Sequence, residues 1–132
     1  MIRFTIPVDL PTVTFQDKCL GIRYGKPYMY ESQKLKDAKA MIRAHVGKYK
    51  PAEPMKGPIK LSVYWVFRYT KASKEQWMVR KPDLDNLNKM LQDVLQDLQF
   101  FDDDSQIVIL QTAKTRYKKP CISVELLELE DL

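Results

Sequence analysis

The residues of this chain best able to do chemistry are carboxylates. Asp83 and Asp85 stand in the run Asp83-Leu84-Asp85-Asn86, Lys89 follows Asp85 by four residues, and the triplet Asp102-Asp103-Asp104 comes after one helix-length of chain. Clustered carboxylates repel one another, so a positive group must sit among them. Two kinds qualify. One is Mg²⁺, a hard cation that takes one or two carboxylates together with water and substrate phosphate. Held there, it would lower the pKa of a bound water and neutralise charge developing on a phosphate, which is the chemistry of phosphodiester hydrolysis. The other is a neighbouring Lys or Arg, which would make the cluster an ordinary surface.

The element that must position these groups is a helix. Leu84, Leu87, Leu91, Val94 and Leu98 recur at spacings of three and four, predicting an amphipathic helix over residues 83–98 with Asp83 or its neighbour near the N-cap. Free N–H groups and the positive end of the helix dipole favour acid there, so capping explains Asp83 well and Asp85 tolerably. Capping gives no reason for residues 102–104. These reach the first pair only if the loop after the helix folds back. By spacing alone, Lys89 is an i,i+4 partner of Asp85, worth about 0.3–0.5 kcal/mol. A Ca²⁺ loop is a poorer account of the acids, because the D-x-[DN]-x-[DN]-G pattern is absent. His45, the only histidine, falls on another helix, and no Ser/His or Cys/His arrangement accompanies it.

Around this unit the pattern alternates between strands and helices. Residues 2–8 alternate apolar and polar as a half-buried strand, ended by Asp9-Leu10-Pro11. Residues 26–30 predict a short strand or hairpin arm, and Ser32 is placed to cap a helix through Leu35, Ala38, Ile42 and Val46 to about Gly47. The breaker-rich residues 51–58 lead to a clear strand over 59–69, with Ile59, Leu61, Val63, Trp65 and Phe67 on one face. A polar segment over 70–82 then carries Lys71, Lys74, Arg80 and Lys81 around an exposed Trp77. It suits a backbone-gripping loop with a stacking residue, or a solvated loop whose Trp folds back. Residues 106–112 and 121–129 predict two more strands, joined by a basic turn over 114–119. The expectation is one α+β domain over residues 1–132, a mixed sheet of about four or five strands packed with two main helices.

Charge points to a polyanion. There are 22 Lys plus Arg against 17 Asp plus Glu, a net of +5, and setting the acidic cluster aside leaves the remaining surface more basic still. No apolar run is long enough for a bilayer span and the N-terminus lacks a signal-peptide pattern, so a cytoplasmic protein without membrane contact is expected. Cys19 and Cys121 have no metal spacing and read as free thiols.

The run Arg80-Lys81-Pro82-Asp83-Leu84-Asp85-Asn86-Leu87-Asn88-Lys89, followed by Asp93 and by Phe100-Phe101-Asp102-Asp103-Asp104-Ser105-Gln106-Ile107, resembles the signature of the RusA family of Holliday junction resolvases. The order D-x-D-N-x-x-K, helix, aromatic, D-D, strand carries the resemblance, which is firm over residues 59–124. It implies a RusA-like fold and a homodimeric endonuclease, often of phage or prophage origin, that binds four-way DNA junctions and with Mg²⁺ cuts two strands symmetrically. Carried over by position, it implies that Asp83, Asp85 and Asp104 bind metal and act in catalysis, that Asp103 is an adjacent acid, and that Lys89 is the catalytic lysine. One element departs from the family: where members carry a P-S-x-N-like element, this chain reads Pro11-Thr12-Val13-Thr14, with Lys18, Arg23, Tyr24 and Lys26 as a rough substitute. Phosphate contacts are expected from Arg80, Lys81, Lys114, Arg116, Lys118 and Lys119. The competing expectations are a junction- or DNA-binding protein of the same fold without turnover, and a basic interaction protein whose acids only cap and pair.

Overall fold

The computed structural model describes residues 1–10 and 19–130. The Asn-less segment over residues 11–18, including Lys18, therefore lies outside the described residues. The chain forms β1 (Ile2–Ile6), β2 (Cys19–Arg23), β3 (Lys26–Tyr30), α1 (Gln33–Val46), β4 (Ile59–Arg68), α2 (Leu84–Asp97), β5 (Ile107–Tyr117) and β6 (Cys121–Glu128). Four strands make a mixed sheet in the order β1-β6-β4-β5, and β2 and β3 form a separate two-stranded sheet. This is the expected small α+β domain with two main helices, and β2 is an addition. It is only five residues long, Cys19–Arg23, with a glycine at its centre, too short for an alternation to mark it. The β2–β3 turn places Tyr24 and Gly25 at φ 53 and 74, the paired left-handed conformation of the tightest hairpins.

β4 and β5 run parallel, whereas β6 is antiparallel to both β1 and β4. A parallel pair needs a crossover, and α2 supplies it. The helix is thereby laid along the two strands whose ends carry the chemistry. The alternation read in β4 holds: Ile59, Leu61, Val63, Trp65 and Phe67 are all buried. With Phe4 and Ile6 of β1 and Ile122, Val124 and Leu126 of β6, they form a continuous core with the apolar faces of α1 and α2. α1 begins as expected, with the Leu35 N–H donating to Ser32 Oγ at 3.2 Å.

One polar residue fixes the rotation of α2. The indole N–H of fully buried Trp65 donates to Asn88 Oδ1 at 3.0 Å, and the Thr112 hydroxyl donates to the same oxygen at 3.3 Å. Asn88 thus ties α2 to β4 and β5 at once; without it the indole would be left unsatisfied, at a cost of about 1–3 kcal/mol. With Asn88 turned inward, the next residue, Lys89, faces out. Among the described residues no helix is long and apolar enough to cross a membrane.

Candidate active site

The end of α2 decides where the acidic triplet goes. Gln99 adopts φ 64, its N–H bonds the Gln96 carbonyl, and the Phe100 N–H bonds the Leu95 carbonyl. That pair of bonds is the Schellman motif, which reverses the chain and satisfies the last helical carbonyls. Gly normally occupies the left-handed position; Gln99 takes it at a cost of roughly 1–2 kcal/mol. Burial of Phe100 and Phe101, both fully inaccessible, offsets this at about 1.5–3 kcal/mol per side chain. The chain thus doubles back and delivers residues 102–104 to the flank of α2.

Two glutamines hold them there. Gln106 Oε1 accepts from the Asp102 and Asp103 N–H groups, while its amide donates to the Met55 and Gly57 carbonyls. Gln96, in the last turn of α2, accepts from the Asp104 N–H at 2.8 Å. The Asp104 carboxylate then lies 3.7 Å from the Lys89 ammonium. Asp102 points elsewhere and pairs with Lys56 at 2.9 Å. Asp103 accepts from the Ser105 hydroxyl.

At the other end of α2, Asp83 occupies the N-cap position, yet its side chain makes no cap hydrogen bond. Its carboxylate pairs with Lys81 at 2.8 Å instead. The capping explanation therefore fails for Asp83: the position is right, but the carboxylate is turned to the surface. Asp85 is exposed in the first turn and accepts from the Asn86 N–H. Lys89 pairs forward with Asp93 at 3.0 Å, a partner that spacing from Asp85 did not suggest.

The positive groups demanded by the clustered acid are thus Lys81 beside Asp83, Lys89 beside Asp104 and Lys56 beside Asp102. The fold brings Asp104 to Lys89, one turn along the helix from Asp85. Among the described residues, no three of His, Cys, Asp and Glu close into a metal cage. The donors available are hard oxygens, half-exposed and facing solvent. That fits Mg²⁺, which binds through one or two carboxylates and leaves the remaining positions to water and phosphate.

The basic residues divide into two groups. Arg80, Lys81, Lys118 and Lys119 are exposed beside the acids or at the β5–β6 turn. Lys114 and Arg116 are not in a turn, a correction to the sequence reading: β5 continues to Tyr117 because it pairs with β4 along its whole length. The Lys114 ammonium donates to the Arg80 and Pro82 carbonyls at 2.7 and 2.8 Å. Burial lowers its pKa and the nearby Asp83 opposes the shift. Arg116 is buried, with its guanidinium on Glu75 and the Trp77 carbonyl. Both side chains staple residues 75–82 to the sheet, and Lys114 sets where Asp83 starts. The Thr70–Pro82 stretch is correspondingly more ordered than its polarity implied: Trp77 bridges Thr115 and remains 61% exposed, while Met78 is buried. Cys121 is a free thiol whose pKa burial raises against a hydrogen bond with Ser123; the Cys19 side chain lies outside those described.

An outward lysine flanked by carboxylates on one helix, with a basic loop feeding that helix, defines a protein suited to phosphate-ester chemistry on a polyanion. The family described as Endodeoxyribonuclease RusA matches residues 16–127. The chain is similar to the crossover junction endodeoxyribonuclease RusA of Lactococcus phage r1t, with 33% identity over 96% of this chain and 97% of the phage protein. It is also similar to the YqaN protein of Bacillus subtilis (strain 168), with 30% identity over 83% of this chain and 84% of that one. The chain belongs to the RusA family of endodeoxyribonucleases.

Proposed function

We propose that this enzyme resolves four-way DNA junctions by paired, symmetric nicks, with Mg²⁺ held by carboxylates among Asp83, Asp85 and Asp104 and with Lys89 contacting the scissile phosphate. The observation that carries the reading is the 3.7 Å approach of Asp104 to Lys89, the outward lysine of the helix that begins with Asp83 and Asp85. Mg²⁺ bound there would supply an activated water and offset charge on the phosphate. Lys89, held by two carboxylates, presents its ammonium where a leaving oxygen gains charge. Arg80, Lys81, Lys118 and Lys119 grip the flanking phosphates, and affinity then falls steeply with salt. Such an enzyme works in the cytoplasm, where it meets recombining DNA.

Paired nicks call for two sites related by a two-fold axis. The outer strand β5 supports a homodimer. Its second half is covered by residues 76–78, through the Trp77–Thr115 bridge and bonds at Lys114 and Arg116. Its first half leaves Val108, Ile109 and Leu110 exposed by 60%, 45% and 45%. An open apolar edge of this kind pairs with another strand unless protected, and a second copy's β5 is the matching partner. Sedimentation of Ile109→Lys should give a monomer that makes single rather than paired nicks; a dimer of unchanged affinity would place the contact elsewhere.

The reading is tested by incubating the purified protein with a four-way junction and the matching linear duplex. Mg²⁺ should give paired nicks in the junction alone. Tight junction binding with no nick under any divalent ion would favour a binding protein without turnover.

A further inference from the structure

We propose that Asp93 and Lys39 are positioning residues for Lys89, an inference that rests on the role given to Lys89 above. The Asp93 carboxylate serves two lysines with separate oxygens: Oδ1 accepts from Lys89 at 3.0 Å and Oδ2 from Lys39 at 3.2 Å. Lys39 comes from α1, and its ammonium also donates to Glu31 at 2.6 Å. A line of alternating charge therefore runs Glu31, Lys39, Asp93, Lys89, Asp104, from the helix–helix seam to the proposed reaction centre.

Exposure along this line decides its role. The Lys39 side chain is 11% exposed, against 53% for Lys89. Burial pushes the Lys39 pKa down, but Glu31 and Asp93 outweigh it and the net shift is upward, so the ammonium stays charged. Stability gives little reason to keep a charge there, since replacing buried ion pairs with apolar groups is often neutral or favourable. The Lys89–Asp93 pair is likewise an exposed i,i+4 contact of small value. A second cross-helix bridge, Arg43 to Asp97, is 44% and 61% exposed and among the described residues leads to no further ion pair. What the Lys39 line does accomplish is geometric. It anchors Asp93 from a second helix, and Asp93 then restricts a flexible lysine to the side facing Asp104.

The test measures single-turnover junction cleavage, junction affinity without divalent ion, and melting temperature. Asp93→Ala should slow cleavage by about 10- to 100-fold with affinity within twofold, because a small misplacement of a reacting group is costly. Asp93→Glu should recover part of the rate. Lys39→Met should also slow cleavage while melting at the same or a higher temperature, and Lys39→Arg should restore the rate. In a Lys89→Ala background, Asp93→Ala should change the rate less than twofold, the signature of residues acting as one unit. Additive losses, or a Lys39→Met enzyme that is less stable but cuts normally, would overturn the inference while leaving Lys89 in place. If Lys89→Ala itself cuts normally, the role of Lys89 falls and the inference falls with it. Asp93→Asn, which keeps the shape, replaces Asp93→Ala if the latter does not fold.

Discussion

Asp83→Asn should cut four-way junctions on the order of 10³-fold more slowly than the parent while binding them at least as tightly. The side chain makes no cap hydrogen bond and is half-exposed beside Lys81, so its charge does little for the fold. Replacing a carboxylate by a carboxamide of the same shape removes a hard anionic ligand and leaves the backbone undisturbed. It also removes one negative charge facing DNA, which frees Lys81 for phosphate and favours binding. Loss of cleavage with retained binding separates catalysis from affinity in one substitution. Asp104→Asn should behave alike if both acids serve one centre, and the double variant should be no slower than either single one. An Asp104→Asn enzyme that cuts normally would remove Asp104 from the site, despite its closeness to Lys89.

Lys89→Ala should slow cleavage by about a hundredfold and change junction affinity by less than a few-fold. An ammonium that contacts the leaving oxygen acts where charge develops, so its loss falls on the rate rather than on binding. Stability should hardly move, because the Lys89 ion pairs with Asp93 and Asp104 are solvent-accessible. Equal losses in rate and affinity, with a salt dependence shallower by about one counterion, would make Lys89 a phosphate anchor instead.

Helix α2 was legible because its signals are local. The apolar spacing from Leu84 to Leu98 and the acid at its start predict the turn, the face and the N-cap position, and the structure places α2 over Leu84–Asp97. β4 was legible for the same reason, with five apolar side chains alternating into the core. The reach of β5 was not. Lys114 and Arg116 look like turn residues beside Lys118 and Lys119, and only pairing with β4 and contacts to residues 75–82 bring them indoors. Asp93 was visible as a member of the motif but not as a partner of Lys39, which lies 54 residues earlier.

The sequence by itself determined which groups are available: an acid pair at a helix start, a lysine one turn on, a second acid cluster, and the motif order that marks the family. Residue type and helical period are properties of a few neighbouring positions, so no fold is needed to read them. Only the tertiary structure decided that Asp104 meets Lys89 and that Asp102 does not. That outcome depends on a chain reversal at Gln99, which carries no glycine signal, and on the burial of Phe100 and Phe101 that makes the reversal favourable. The tertiary structure alone also pairs Asp93, the other carboxylate beside Lys89, with Lys39 of α1, and such distant partners are set by packing rather than by local propensity.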